Sequence, residues 1–371
     1  MLFYVVISAI VVYFLRSAIM FAGSVKSKQA QIIKADSGYL PFVSVIVPSR
    51  NEENNIETCI HSLMQSSYPH DRFEVVAVND RSTDATGEIL KSLSQVYTNL
   101  KIVEISESTA IPNLKGKAGA LHRGINESMG EIVMMTDADC VVPKTWIQSI
   151  SEYYSDIRVG LVAGFTMVKH NSEFDKIQAV EWIYMHTMAS AGVALGKPLG
   201  CFGNNLSIRR SVYDKIGGYE NIKFSVTEDL ALIQAVHKTG AKVHYPCSWE
   251  SSVSTLPCAT FAEYISQHRR WAIGGLNLGW VAPVFVLSNV LIWAAIIIAI
   301  FSGNLIWLLA VLFVRVFGDF SLIMTSIGKL NHEHLQSRIL SSILYFMIIE
   351  LIIPPMLIDK KIVWKGQVFG K

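Results

Sequence analysis

The chain has 371 residues, of which 51% are hydrophobic and 17% charged, and its mean hydropathy is +0.36. This composition is too apolar for an ordinary soluble protein and favours a membrane protein. The formal net charge of +2 gives no reason to expect a nucleic-acid partner. The five cysteines include no C-x-x-C pair, so they fit neither a disulfide framework nor a zinc site, and we expect them to be reduced.

An apolar run opens the chain. Residues 2–21 are almost wholly apolar, which is enough to cross a bilayer core of about 30 Å. A cleaved signal peptide is the alternative, but no basic segment precedes the run and no clear A-x-A cleavage site follows it. We therefore predict an uncleaved transmembrane anchor at residues 1–22. The flanking Lys26, Lys28 and Lys34 predict, by the positive-inside rule, that the next domain lies in the cytoplasm.

From Pro41 onward, strands alternate with helical segments, which is the pattern of an α/β domain with a mostly parallel sheet. A first helix is predicted to end near Ser66. We predict four strands, the third near an edge of the sheet: Val43–Val47, Glu74–Val78, Leu100–Ile105 and Glu131–Thr136.

Acidic residues follow the three main strands. Glu52 lies beyond the first, Asp80 follows the second, and Asp137 with Asp139 follows the fourth. Polar residues at the carboxyl ends of parallel strands converge on one crevice, so we expect these carboxylates to lie together. Two carboxylates one residue apart can hold a divalent cation and leave positions for phosphates, although a lone D-x-D arises by chance roughly once in a chain of this length. Neither a G-x-G-x-x-G after the first strand nor a P-loop motif is present, which argues against a dinucleotide oxidoreductase and a P-loop NTPase.

Seven short motifs occur in order between Pro41 and Leu278. They are P-x-R-N-E at Pro48–Glu52, D-x-S-x-D at Asp80–Asp84, K-A-G-A-L at Lys117–Leu121, D-A-D at Asp137–Asp139, G-N-N-L-x-x-R-R at Gly203–Arg210, T-E-D at Thr227–Asp229 and Q-x-x-R-W at Gln267–Trp271. This series resembles a membrane-bound family 2 glycosyltransferase with the GT-A fold. The sequence departs from the pattern of this family after the second strand. Asn79 precedes Asp80 where the family often has two acids, and Arg81 stands where a glycine is common.

The resemblance implies a GT-A catalytic domain, Rossmann-like with a mostly parallel sheet, over residues 41–255. An interfacial region with the Q-x-x-R-W motif follows over residues 256–280. In the implied donor site, Asp80 and Glu52 contact the base and ribose, and Lys117 contacts the diphosphate. The full set of residues implied to bind the nucleotide-sugar is Pro48, Arg50, Glu52, Asp80, Lys117 and Asp137.

The resemblance also assigns the chemistry. Asp139 is the implied ligand of a Mg²⁺ or Mn²⁺ ion that bridges the diphosphate, with Asp137 assisting. Asp229 is the predicted general base, because direct displacement at the anomeric carbon needs a carboxylate to accept the proton of the acceptor hydroxyl, and it inverts configuration. Glu228 is assigned to the acceptor or diphosphate, with helix capping as the alternative. Gly203, Asn204 and Asn205 are expected to face the acceptor side of the cleft, with turn stabilisation as the alternative for the two asparagines.

The Q-x-x-R-W motif falls in Phe261–Ile273, which we predict to be an amphipathic helix. The resemblance implies that Trp271 borders the acceptor, while Arg270 and Gln267 close over the diphosphate. An interfacial membrane helix is the alternative, and both descriptions can hold at once. A second interfacial helix is predicted at Ile177–Leu195.

Residues 281–358 contain three apolar segments, which we place at Val281–Phe301, Leu305–Met324 and Ile339–Ile358. The second contains Arg315 and Asp319, four residues apart on one helical face. Intramembrane charges are costly, so these two should pair with each other or line a protein interior. A role in admitting the acceptor is the alternative to a structural pair.

Residues 359–371 form a basic tail, and its lysines favour a cytoplasmic location. That location requires Pro354-Pro355 to break the last segment and turn it back. The tail lysines are Lys360, Lys361, Lys365 and Lys371.

Three C-terminal segments are fewer than polysaccharide synthases of the resembled family generally have. The stretch Trp364–Gln367 is also similar to a W-K-G-[RQ] ending of members that act on lipid or carotenoid acceptors. We therefore predict an inverting glycosyltransferase that moves a single sugar from a nucleotide-sugar, a UDP-sugar, to a membrane lipid hydroxyl on the cytoplasmic face. The alternatives are a processive polysaccharide synthase of the same family and a non-catalytic sugar-nucleotide-binding membrane protein.

Overall fold

The computed structural model describes residues 2–29, 38–106, 114, 116–223, 225, 227–356, 362–364 and 367–369. The predictions made for Lys34 and for the four tail lysines therefore lie outside the described residues. Contacts divide the chain into two units. We call them the sheet unit, Lys28–Lys169 with Gly200–Leu256, and the helical unit, Met1–Ser27 with His170–Leu199 and Pro257–Lys371.

All of the described strands except the last two lie in the sheet unit. In chain order the strands are β1 (Val43–Ser49), β2 (Phe73–Asp80), β3 (Leu100–Ile105), β4 (Ile132–Met135), β5 (Val159–Ala163), β6 (Thr166–Val168), β7 (Leu206–Arg209), β8 (Lys242–His244), β9 (Val253–Thr255), β10 (Ile362–Trp364) and β11 (Gln367–Phe369). The main sheet has seven strands in the order β3-β2-β1-β4-β7-β5-β8. Only β7 runs antiparallel to its neighbours, β4 and β5. The predicted class, α/β with a mostly parallel sheet, is confirmed, and β3 lies at the edge as expected.

The helices divide between the two units. In chain order they are α1 (Leu2–Gln29), α2 (Ile56–Met64), α3 (Thr86–Val96), α4 (Lys117–Asn126), α5 (Trp146–Ser151), α6 (Glu173–Ala194), α7 (Arg210–Lys215), α8 (Glu228–Lys238), α9 (Phe261–Gly275), α10 (Val281–Phe301), α11 (Leu305–Ile327) and α12 (Ile339–Met356). The sheet unit contains α2 to α5, α7 and α8, while the helical unit contains the remaining six.

Both faces of the central strands are covered, which explains why β1, β2 and β4 are apolar and buried along nearly their whole length. Residues of α2, α3 and α5 share one core cluster with these strands. Helix α4 contacts β1 and β2 at Gly124. A methyl group there would lie 2.6 Å from Ile46 Cγ2 and 2.7 Å from Val78 Cγ2. This close approach fixes α4 and hence Lys117, its first residue.

Within the described residues, four helices of the helical unit are long and apolar enough to cross a membrane. They span Leu2–Gln29, Val281–Phe301, Leu305–Leu330 and Glu333–Pro355, the last two including short 3₁₀ turns. Side chains of α1, α10, α11 and α12 share a buried apolar cluster around Tyr13, Ile292 and Val311. The strands β10 and β11 pair with each other antiparallel.

The expected pairing of Arg315 with Asp319 is confirmed: Nη2 and Oδ2 are 3.2 Å apart and both side chains are buried. Glu350 lies 2.8 Å from the same guanidinium nitrogen, and the hydroxyl of Tyr13 donates to Asp319 at 2.7 Å. Arg16 lies 3.7 Å from Asp319. The charges thus neutralise one another inside the unit, as is expected of ionisable groups on apolar helices.

The two helices predicted at Phe261–Ile273 and Ile177–Leu195 are present in the helical unit as α9 and α6, while their interfacial location stays a prediction. Ser172 caps α6 by accepting from the backbone N–H of Asp175 at 3.1 Å, in a reciprocal capping box. Thr260 caps α9. The last helix includes Pro354 and Pro355 and ends at Met356, while the location of the tail stays a prediction.

Candidate active site

The loops that follow β1 and β2 are fastened to each other. The backbone N–H of Asn51 donates to Ser82 Oγ at 3.1 Å, and the N–H of Thr83 donates to Asn51 Oδ1 at 2.8 Å. Asn51 and Arg81 both have a φ of 54°, in the left-handed region. These hydrogen bonds hold the two strand-end loops in one fixed arrangement, with Glu52 in the first loop and Asp80 at the end of β2, directly before the second loop.

Each of the two acids expected at the base and ribose has contacts within its loop. Glu52 Oε2 accepts from the side-chain amide of Asn55 at 2.9 Å. Asp80 is buried, and its Oδ1 accepts from Arg81 Nε at 2.7 Å. Pro48 lies near the end of β1 and Arg50 directly follows the strand. The donor-binding roles of all four stay predictions.

The departure at Asn79 has a local explanation. The side-chain amide of Asn79 donates to Glu104 Oε2 at 2.8 Å across the neighbouring strand. An aspartate at this position would place a second carboxylate against Glu104, which is unfavourable for like charges on paired strands.

The D-x-D pair follows β4, as predicted. Burial and the negative charges of Asp137 and Glu52 raise the pKa of Asp139 to about 6. Two buried cysteines flank the pair: Cys140 Sγ donates to Asp139 Oδ1 at 3.4 Å, and Cys59 Sγ donates to the carbonyl of Asp137 at 3.4 Å. Negative charge is therefore concentrated at this strand end, where the sequence led us to expect it.

This charge distribution fits a divalent cation. Across the described residues, no group of three or more His, Cys, Asp or Glu side chains is arranged to hold a metal on its own. Two carboxylates suit Mg²⁺ or a similar ion that takes one or two protein ligands and completes its shell with substrate phosphates and water. Burial raises the pKa of Asp139, and Asp137 and Glu52 raise it further; a bound cation would instead favour the ionised carboxylate.

Lys117 connects the D-x-D pair to the T-E-D motif. Its Nζ lies 2.5 Å from Asp137 Oδ1 and 3.8 Å from Glu228 Oε1. Burial alone lowers the pKa of this ammonium group, but the carboxylates of Asp137 and Glu228 outweigh burial and raise it. Lys117 is therefore charged at neutral pH, and two motifs that are far apart in sequence form one cluster.

Asp229 lies in the first turn of α8. Its Oδ1 accepts from the backbone N–H of Leu230 at 2.7 Å, and its Oδ2 accepts from the N–H of Gly203 at 2.9 Å. Burial and the adjacent charge of Glu228 raise the pKa of Asp229 to about 7, against the opposing effect of Lys117. A carboxylate with a pKa near the working pH is suited to general-base chemistry.

Gly203 was expected to face the acceptor side of the cleft, but its contact with Asp229 was not predicted. The G-N-N motif was recognised, but its contact with Asp229 joins residues on different segments and has no signal in the local sequence. A methyl group on Gly203 would lie 3.2 Å from Lys117 Nζ and 3.5 Å from Asp229 Cβ. A methyl group would make an ordinary contact with Asp229 but would require Lys117 to move by a few tenths of an ångström.

The two asparagines after Gly203 hold the interior of the sheet unit. Asn204 is buried, and its Oδ1 accepts from Thr166 Oγ1 at 2.9 Å. Asn205 accepts from Trp146 Nε1 at 3.0 Å and donates to the carbonyls of Phe165 and Ser251. These contacts favour a structural role for Asn205, while the acceptor role of Asn204 stays a prediction.

The Q-x-x-R-W residues lie on α9, in the helical unit. Trp271 packs edge-to-face on Trp182 with ring centroids 5.6 Å apart. One turn earlier, His268 Nε2 lies 2.7 Å from Glu181 Oε1, and the hydroxyl of Tyr264 donates to Glu181 Oε2 at 2.8 Å. Sequence reasoning assigned no role to His268 or Glu181. The roles of Gln267, Arg270 and Trp271 toward a substrate stay predictions.

The sheet and its strand-end carboxylates define a glycosyltransferase of the GT-A fold. The chain belongs to glycosyl transferase family 21, whose family model matches residues 1–370. The expected class, a GT-A glycosyltransferase of the family 2 type, is thereby confirmed. A mannosyltransferase from Pyrobaculum calidifontis, solved with GDP-mannose and Mn²⁺, shares this fold with a TM-score of 0.58 at 19% identity, over 95% of this chain and 98% of that chain.

Curated relatives are similar to about two thirds of the chain. A probable glycosyltransferase of Bacillus subtilis, YdaM, is 31% identical over 67% of this chain and 59% of its own length. A beta-monoglucosyldiacylglycerol synthase of Nostoc is 29% identical over 68% of this chain and 53% of its own length. A poly-beta-1,6-N-acetyl-D-glucosamine synthase of Staphylococcus epidermidis is 24% identical over 66% and 57%, respectively. The chain thus spans little more than half the length of these relatives.

Proposed function

We propose that this family 21 protein is an inverting glycosyltransferase that moves a single sugar from a UDP-sugar to the hydroxyl of a membrane lipid. The observation that carries the proposal is the cluster formed by Asp137, Lys117, Glu228, Asp229 and Gly203. Direct contacts in this cluster join residues of four motifs, K-A-G-A-L, D-A-D, G-N-N-L-x-x-R-R and T-E-D. Four helices among the described residues are also long and apolar enough to cross a membrane.

In the proposed reaction, Asp229 accepts the proton of the acceptor hydroxyl. The hydroxyl oxygen attacks the anomeric carbon, the bond from that carbon to the diphosphate breaks, and the configuration inverts. The N–H groups of Gly203 and Leu230 hold the two carboxylate oxygens in place. A pKa of about 7 leaves a substantial ionised fraction at neutral pH and keeps enough basicity for proton transfer.

The departing diphosphate gains negative charge as the sugar bond breaks. Lys117 supplies a fixed positive charge beside the D-x-D pair. When bound, Mg²⁺ or Mn²⁺ supplies further charge neutralisation to the leaving group, with Asp139 as its ligand and Asp137 assisting. Because Lys117 pairs with Asp137 in the free protein, we expect its ammonium group to turn toward the diphosphate when the donor binds.

The remaining roles rest on the motifs. Pro48, Arg50, Glu52 and Asp80 form the site for the base and ribose at the ends of β1 and β2. Gln267 and Arg270 contact the diphosphate, and Trp271 borders the acceptor; the contacts of α9 with α6 give that helix a defined position in the helical unit.

A lipid acceptor is supported by the apolar helices and by the name of the Nostoc relative. Lys26 and Lys28 at the end of α1 favour a catalytic domain on the cytoplasmic side. The second candidate function is processive polysaccharide synthesis, which the Staphylococcus relative supports. A sugar-nucleotide-binding protein without turnover is the third candidate, and the raised pKa of Asp229, which suits this carboxylate to accept a proton, argues against it.

The test is a transfer assay on the full chain in native-lipid nanodiscs, with labelled UDP-sugars and Mg²⁺ or Mn²⁺ and product analysis by mass. We expect a lipid that has gained one sugar, and we expect the product to be lost with a chelator and in Asp229→Asn. Asp156→Asn is the matched control, because Asp156 forms its ion pairs with Arg158 and Lys242 instead. A ladder of sugars would favour the polysaccharide synthase, and nucleotide binding without any product would favour the binding protein.

A further inference from the structure

Arg81 has an unusual backbone conformation at the end of β2. Its φ of 54° lies in the left-handed region, which is unfavourable for a residue with a Cβ and is usually occupied by glycine. The next two residues enforce this conformation, because Ser82 Oγ and the N–H of Thr83 are both hydrogen-bonded to Asn51. A strained, well-held residue beside a binding site is a reason to look for a function of its side chain.

The side chain of Arg81 occupies one oxygen of a buried carboxylate. Arg81 Nε donates to Asp80 Oδ1 at 2.7 Å, and the side chain of Asp80 is only 8% exposed. Among the described residues, no group donates a hydrogen bond to Asp80 Oδ2. The nearby Asn79 is turned away, since its amide is engaged with Glu104. Arg81 therefore occupies one side of the Asp80 carboxylate and leaves Oδ2 as the oxygen without a donor among the described residues.

The number of available oxygens distinguishes nucleotide bases. Guanine presents two adjacent donors, N1–H and N2–H, which pair in parallel with both oxygens of a carboxylate. Uracil presents a single donor, N3–H, which needs one oxygen. With Arg81 Nε on Oδ1, the second donor of guanine would have to share that oxygen with a guanidinium, so guanine gains less from this carboxylate than uracil, which needs only Oδ2.

We propose that Arg81 determines the base specificity of the donor site. By reserving Asp80 Oδ1, it leaves Oδ2 for the single N–H of uracil and selects a uridine over a guanosine diphosphate donor. This inference rests on the proposed function, in which Asp80 contacts the base. Arg81 acts through Asp80 and is therefore a positioning residue. Its removal should change the ratio of the affinities for UDP and GDP.

The test measures the binding of UDP and GDP, each with Mg²⁺, to the full chain in nanodiscs by titration calorimetry. In Arg81→Met the guanidinium is lost while the Cβ and the left-handed backbone remain. We expect the wild type to bind UDP more tightly, and the ratio of the two dissociation constants to shrink by about tenfold in the variant, the equivalent of one net hydrogen bond.

Two further variants make the test specific. Arg81→Gly also releases the backbone strain, so it should shift the ratio to the same extent and melt at a higher temperature than Arg81→Met. Arg158→Met removes another arginine that pairs with an aspartate, Asp156, in the same unit, and it should leave the ratio unchanged.

An unchanged ratio in both Arg81 variants, or a wild type that prefers GDP, would overturn the inference and leave the proposed transfer reaction intact. If the preference for UDP disappears when Arg81 is replaced, the inference is supported. If the same protein transfers no sugar to any lipid, that result counts against the proposed function. A wild type that binds neither nucleotide would overturn both.

Discussion

The backbone N–H of Gly203 donates to Oδ2 of Asp229 at 2.9 Å, across 26 residues of sequence. Together with the N–H of Leu230 on the other oxygen, it fixes the plane of the carboxylate. The proposed base is thus oriented by backbone groups, which a side-chain substitution cannot easily supply or remove. The space beside Gly203 is bounded by the same Asp229 and by Lys117.

Replacement of Gly203 by alanine should therefore impair the reaction without unfolding the protein. The new methyl group would lie 3.2 Å from Lys117 Nζ, so the lysine must move by a few tenths of an ångström. We expect kcat to fall by about 10- to 100-fold, as is typical of small misplacements of reacting groups. Steady-state kinetics with a thermal-melting control would measure this. Gly200→Ala is the matched variant, since no atom lies within 4 Å of a methyl group there; equal losses in both variants would contradict the explanation.

Asp229 should give the reaction its pH dependence. The general base must be ionised, and its pKa is raised to about 7, so kcat/KM should rise with pH and level off above that value. Asp229→Asn should lower kcat by about 10²- to 10⁴-fold. A flat profile between pH 5 and pH 9 (roughly the range in which such bases titrate) would exclude Asp229 as the titrating base.

The raised pKa of Asp229 also predicts how the stability of the protein changes with pH. An acid whose pKa is raised by folding binds a proton more tightly in the native state, so its contribution to stability falls as pH rises from its unfolded value of 3.8 to about 7. Asp229→Asn should consequently melt at a higher temperature than the wild type at pH 8. Asp156 has the opposite shift, because Arg158 and Lys242 lower its pKa. Asp156→Asn should therefore melt at a lower temperature at pH 8, and equal shifts of the two variants would contradict the assignment.

Lys117 should affect both donor binding and the base. Lys117→Met removes the charge that opposes the raised pKa of Asp229 and leaves Asp137 and Glu228 without their partner. We expect the pH profile to move to higher pH and the KM for the donor to rise about tenfold or more, the loss expected for a charge-assisted contact. Lys91→Met, at an exposed position on α3, is the control. A variant with normal donor KM and an unshifted profile would place Lys117 outside the site.

Much of the sheet unit was predictable because its signals are local. The four parallel strands and the start of α8 at Glu228 follow from short apolar runs and an acidic first turn. Strands β5 to β9 have three to five residues and were not predicted. Such short pieces carry too little periodicity to be separated from loops.

Contacts between distant segments had no signal in the sequence. The apolar pattern of the first helix ends near Phe21, yet α1 continues to Gln29. The reason lies in partners elsewhere in the helical unit: Ser24 Oγ is 2.7 Å from Thr325 Oγ1 and Ser27 Oγ is 2.6 Å from Ser190 Oγ. Glu181 and His268 are similarly 87 residues apart, so their pairing could not be inferred from the motif that contains His268.

The Glu181–His268 pair should stabilise the position of α9 in a pH-dependent way. Burial alone lowers the pKa of His268, but Glu181 raises it above its usual value. The imidazolium therefore contributes stability that is present below the unfolded pKa of 6.5 and is lost as pH rises through the higher folded value. Glu181→Gln should destabilise the protein by about 3 kcal/mol at pH 6, because it leaves a buried cation unpaired, and by less at pH 9. Thermal unfolding in nanodiscs at the two pH values would measure the difference. Glu263→Gln, an exposed acid in the first turn of the same helix, is the control. If Glu181→Gln destabilised the protein equally at both pH values, or if Glu263→Gln reproduced its pH dependence, the charged pair would not be what holds α9 against α6.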